Sequence, residues 1–197
     1  MASPEPISSP ELVAAQAART IALQMLEERG RGAVLVGVAR VDAALEHLLQ
    51  AVMPAASSKD DGLFLPERPL GSIGAKVALA SRLGLIDSTV ERALNALRKL
   101  RNAFAHSAES ASLSDPAHSS RLEGIYKEAR VNPLWGPLEM ALASQTTTAK
   151  AELDPDLRNY ILLITILVAF LEATAQQLQP MRPPVVMGLS GVTAVNG

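Results

Sequence analysis

Apolar residues recur along this chain at helical, not strand, spacing. Val34, Val38, Val41, Leu45, Leu48 and Leu49 follow one another at intervals of one, three and four, which puts them on one side of a helix. Val90, Leu94, Leu97, Arg101 and Phe104 trace a second stripe, in which a single position is charged. From Tyr160 to Phe170 the chain is apolar nearly all round, the pattern of a helix at the middle of a bundle or in a subunit interface.

Capping residues and breakers set the ends of these helices. Ser9, Pro10 and Glu11 read as N-cap, first-turn proline and an acid at the positive helix end, opening a helix to about Glu28. Two glycines in Arg29–Gly32 predict a break or kink, with a second helix from Ala33 to Val52. A long loop covers Pro54 to Pro69, and the next helix begins near Ser72 and is capped at Gly84. Gly71 and Gly74 suit either close backbone approach or an anion-holding turn, and close packing is preferred because no phosphate-binding glycine motif is present. Ser88 with Glu91 matches a capping box and starts the central helix. A short helix over Arg121 to Glu128 and another around Leu138 to Leu142 follow, with Trp135 between them as a core plug. Asp154 and Pro155 open the last helix, which runs to about Leu178. The chain thus divides into a disordered start (1–8), a single all-α domain of about five to seven helices (9–179), and an unstructured tail from Pro180 whose VVMGL stretch could dock on a neighbour.

Composition narrows what such a bundle can do. Aromatic residues make up 3% of the chain and the 48% apolar fraction rests mainly on Ala, Leu and Val, as expected of helices packed closely through small side chains. A net charge of −2 gives no global footprint for DNA or an anionic membrane, so any nucleic-acid contact must be local. With no cysteine there are no disulfides, thiolate metal sites or cysteine nucleophiles, a usage that suits a reducing cytoplasm. The N-terminus has neither the basic nor the apolar region of a secretory signal. The uncharged apolar run Asn159 to Leu171, closed by Glu172, is shorter than the ~20 apolar residues of a membrane span, so no membrane partner is expected.

The candidate chemistry gathers around the central helix. A guanidinium on its apolar stripe costs several kcal/mol unless it is satisfied, so Arg101 calls for an anionic partner. Asp42 and Glu46, one turn apart on the second helix, could form a solvated acidic face, ligate a metal or balance a buried cation; the last is preferred, with Asp42 the expected partner of Arg98 or Arg101. The same helix ends in Asn102 and His106, four residues apart. Arginine, asparagine and histidine at one helix end could hold a phosphate. Alternatively, Arg101 pairs with Asp42, Asn102 bonds a backbone group and His106 caps the negative helix end. His47, on the polar side of its helix, and His118, in a loop, make no zinc site, and neither a metal nor a cofactor is expected.

Three blocks in order, RGAVLVGVARVDAALEHLL, PLGSIGAKVALASRLGLID and LRKLRNAFAHS, resemble the mannitol operon repressor (MltR-like) family over about residues 29 to 107. The resemblance implies an all-α bundle with a regulatory role, and it does not in itself imply a DNA-binding domain. The residues agree, with no basic recognition helix and no helix-turn-helix signature, so protein partners are expected and sequence-specific DNA binding is not; a homodimer is expected because the last helix, apolar on nearly every side, would leave an exposed patch unless a second copy covered it. Arg101-Asn102-x-x-x-His106 also resembles the R-x(4–6)-H signature of HEPN domains, several of which are metal-independent ribonucleases or RNA-processing modules. That likeness implies that Arg101 stabilises charge on a scissile phosphate, His106 moves the proton of the attacking 2′-hydroxyl, and Asn102 orients the substrate or His106. Arginine and histidine have the charge and basicity such chemistry requires.

Overall fold

The computed structural model describes residues 10–55, 62–106, 111–146, 153–182 and 185–194. Its elements are α1 (Pro10–Val52), α2 (Ile73–Arg82), α3 (Ser88–His106), α4 (Pro116–Ala129), α5 (Trp135–Thr146), α6 (Pro155–Gln177) and a two-stranded hairpin, β1 (Val185–Gly188) and β2 (Gly191–Ala194). The class is all-α, a helical bundle with one small hairpin appended.

The two long helices carry the packing. The Tyr160 hydroxyl of α6 donates to the Val34 carbonyl of α1 at 3.0 Å, and farther along His47 of α1 meets Glu172 of α6 at 3.0 Å. Both contacts advance in the same chain direction, so α6 lies parallel to the second half of α1. Residues 160 to 168 of α6 are buried without interruption, which accounts for its all-round apolar sequence from within one chain. By length and composition α6 could cross a membrane, but most of its apolar stretch is buried inside the bundle. The core is a single cluster to which α1 through α6 all contribute. Trp135 plugs its edge, 6% exposed, with the Arg130 guanidinium 5.9 Å from its ring.

Several helix ends follow local chemistry. The Ser72 side chain accepts from the Ala75 amide and starts α2. Past the end of α2, Gly84 takes φ 69°, while the Gly84 and Leu85 amides bond the Ser81 and Ala80 carbonyls in a Schellman arrangement that needs a left-handed residue there. Asp154 accepts from the Asp156 amide at the head of α6.

Elsewhere the structure corrects the sequence reading. The two helices expected on either side of Arg29–Gly32 are one, α1, while the disturbance expected there is present as a left-handed Gly30. Gly30 takes φ 44°, a conformation glycine adopts without steric strain, so it absorbs the irregularity while the helix continues on both sides. At the head of α3 the cap is Asp87, whose Oδ1 accepts from the Thr89 and Val90 amides and the Thr89 hydroxyl, while Glu91 accepts from Ser81 of α2. These bonds, led by the one from the Thr89 hydroxyl, hold the Asp87 carboxyl below its ordinary pKa. The helices α4 and α5 are longer than their apolar patterns suggest, and His118 lies in α4, not in a loop. The tail is not wholly irregular. Gly188 and Gly191 flank a two-residue turn and register Met187 opposite Val192, which closes the hairpin. Residues 1–8, expected to be disordered, and most of the ASSKDDG stretch lie outside the described residues.

Candidate functional site

Three regions of the molecule carry the chemistry: a buried charge cluster between α1 and α2, the exposed end of α3, and an apolar groove along α6.

In the charge cluster Asp42 and Glu46 stand one turn apart on α1 and face α2. Their partner is Lys76. Its Nζ lies 3.0 Å from Asp42 Oδ1 and 2.8 Å from Glu46 Oε2, and the lysine is 3% exposed. Burial, the largest single influence, works against the ammonium. The hydrogen bonds and negative charges of Glu46 and Asp42 together outweigh it, and the Lys76 pKa is raised above the ordinary lysine value. The acidic pair therefore balances a buried cation, as one reading of its spacing required, but neither Arg98 nor Arg101 is that cation.

The reason lies in the phase of α3. Leu97 and Phe104 can be bridged on one stripe by either residue 100 or residue 101, since steps of three then four and of four then three both keep to the helical period. Leu100 takes the inward place, fully buried, and Arg101 is turned out to solvent. Burying the leucine gains roughly 1.5–3 kcal/mol, whereas burying the guanidinium would cost several. Arg101 consequently needs no internal anion. Its Nη1 donates to the neighbouring Asn102 Oδ1 at 3.4 Å, a long contact.

At this end of α3 Arg101, Asn102 and His106 are all exposed. Arg98, one turn earlier, is half-buried and lays its stem against Gly74 of α2, where a Cβ would sit 3.4 Å from Arg98 Cδ. Gly74 thus serves close packing. So does Gly71, where a Cβ would collide with the Leu65 and Pro66 backbone. Among the described residues no carboxylate pairs with Arg98, Lys99 or Arg101. The helix end itself is capped from α1, as Arg31 donates to the Ala105 carbonyl at 2.9 Å. Behind this face Phe104 is buried and the His118 ring stands 5.2 Å from it, with Nδ1 buried and unbonded among the described residues. An exposed arginine and asparagine with a histidine one turn on can bind a phosphate or carboxylate. Among the described residues no group of three or more His, Asp and Glu is placed to hold a metal ion.

The groove runs between the head of α3, the end of α4 and one side of α6. Leu163 and Leu167 form its floor, Val90 and Ile125 its walls, and Phe170 and Val131 its rim, around a volume of about 330 Å³. Phe170 is 46% exposed and Val131 84%. Asp87 and Glu128 add carboxylates at the edge, the latter paired with Arg92 at 2.7 Å.

Sequence reasoning passed over Lys76, Arg31 and the groove. Lys76 sits inside an apolar run, GAKVALA, where an isolated cation that breaks the stripe is itself a signal of a buried pair. The groove has no sequence signal, being made by residues of α1, α3, α4 and α6 that meet only in the fold. Comparison with family models, curated proteins and solved structures finds no match.

Proposed function

We propose that this chain is a cytoplasmic regulatory protein of the mannitol-operon-repressor kind, acting through protein contacts and not by reading DNA bases. The observation that carries this reading is the open apolar groove along α6, with Phe170 and Val131 exposed at its rim, since exposed apolar surface around a concave floor is characteristic of protein contact sites. The charge pattern supports it from the other side. The helices α2 and α3, joined by a short turn, come nearest to a DNA-reading pair. Yet α3 is capped by Asp87 and carries Glu91 in its first turn, where a recognition helix needs donors for bases and phosphates. Gel shifts with promoter fragments at low salt should show no sequence-dependent retardation by the purified chain, while Phe170→Glu should relieve repression of a reporter driven by the chain's own operon without altering the helical spectrum. Nanomolar, sequence-selective DNA binding by the chain alone would overturn the proposal.

A second reading has its own observation. Arg101, Asn102 and His106 stand exposed together at the end of α3, with no carboxylate among the described residues neutralising Arg101, so the group is open to a phosphodiester. Under this reading the chain is a HEPN-like RNA-binding or RNA-cleaving domain, with Arg101 stabilising phosphate charge, His106 moving the 2′-hydroxyl proton and Asn102 orienting the substrate or His106. Cleavage that survives EDTA and disappears in Arg101→Ala and His106→Ala supports it. Intact RNA after incubation with wild type, across several sequences, removes it.

A further inference from the structure

The C-terminal hairpin presents a face that nothing among the described residues covers. In its register Met187 stands opposite Val192, so the two share a face, and Val185, two residues before Met187, lies on it as well. These side chains are 82%, 70% and 53% exposed, and Leu189 projects fully from the turn. An isolated two-stranded hairpin is marginal in water and needs a surface to pack on. Its approach is fixed at one point, where the Met181 amide donates to the Val52 carbonyl at 2.7 Å and ties the chain to the end of α1.

The same molecule has an unfilled apolar groove of matching character. A volume of about 330 Å³ is at the lower end for a binding pocket, with room for a few apolar side chains but not for another helix. Charge matches as well. With Glu128 already paired to Arg92, the groove's edge keeps the carboxylate of Asp87, whereas the stretch from Met181 to Ala194 contains no acid and carries the exposed Arg182 just ahead of the hairpin.

We infer that the groove along α6 seats the C-terminal hairpin of a second copy of this chain. The two surfaces stay apart within one chain, and a two-fold exchange closes both sets at once, each copy giving a hairpin and receiving one, with none left over. Met187 and Val192 enter between Val90, Ile125 and Phe170, and Arg182 comes to the acidic edge. The groove therefore has a definite first occupant. This inference rests on the reading of the groove as a protein contact site, but it is tested by mass, independently of any effect on DNA or a promoter.

Light scattering on the full chain at micromolar concentration should report twice the 20.8 kDa chain mass. Met187→Glu with Val192→Glu, at positions already in solvent, should halve that mass while leaving the helical spectrum unchanged. Phe170→Glu, on the receiving side, should do the same. Mixing the two variants should restore pairing in part, because the hairpin of the Phe170→Glu chain meets the intact groove of the other. A wild-type monomer overturns the inference, and so does a dimer indifferent to either variant or a mixture that stays monomeric. A regulatory role can fail in the gel-shift experiment while the dimer stands, and the reverse also holds.

Discussion

Lys76 and Arg101 are cations on neighbouring helices with opposite fates. Lys76 is enclosed, with two carboxylates of α1 within 3.0 Å, whereas Arg101 is in solvent with the adjacent Asn102 as its one partner among the described residues. The difference shows how to separate structural charge from available charge in a helical protein. A cation that the fold must satisfy comes with its anions from another element, and one that a ligand can use has been left without them.

The comparison can be broken most sharply from the anion side. Replacing both carboxylates, Asp42→Asn with Glu46→Gln, leaves the Lys76 ammonium buried and uncompensated, so urea denaturation should show a loss of about 3–5 kcal/mol. A loss under about 1 kcal/mol would mean that the ammonium escapes to water and is not held. Leu100→Ala tests the phase of α3 and should cost about 3 kcal/mol by the same measurement, since Leu100 is fully buried. Lys76→Met should cost about 1 kcal/mol or less, because Asp42 and Glu46, each about a third exposed, return to water once the cation is gone.

This pair also has a pH signature. The Lys76 pKa is raised in the folded chain, so its contribution is complete below the ordinary value of 10.5 and is lost as pH rises through the folded value. The stability difference between wild type and Lys76→Met should be flat around neutrality and shrink on the alkaline side. The smallest effect belongs to Arg101→Ala, within about 0.5 kcal/mol of wild type. A large loss there would place Arg101 back in the core and undo the contrast.

Much of the fold can be read from the chain because local chemistry decides it. Ser72, Gly84 and Asp154 each mark a helix end with a bond that involves a few neighbouring residues. The middle position of α6 follows from a run with no polar side to turn outward. What could not be read depends on choices between near-equal local options. Leu100 and Arg101 both fit the α3 stripe, and only the cost of burying each decides between them. Asp42 and Glu46 announced a cation but not its helix, because the partner is set by how α2 docks. The continuity of α1 through Gly30 is likewise a tertiary outcome. The end of α3 was legible as a cluster of residue types, and its exposure was not, because the phase of one helix had been taken through the wrong residue.

The parallel pairing of α1 with α6 also bears on how this chain is made. Val34 and Tyr160, joined by a hydrogen bond in the finished molecule, are 126 residues apart in sequence. At synthesis rates of about 5–20 residues per second, the apolar side of α1 waits roughly 6–25 s for the helix that will cover it. Helical bundles that fold fastest join near neighbours, whereas here the central contact spans most of the chain, so its closure is among the later steps of folding. The nascent chain emerges with Val34, Val38, Val41 and Leu45 uncovered by α6, a stretch that chaperones can recognise, and a ribosome stalled before α6 would hold an aggregation-prone fragment and not a partial fold.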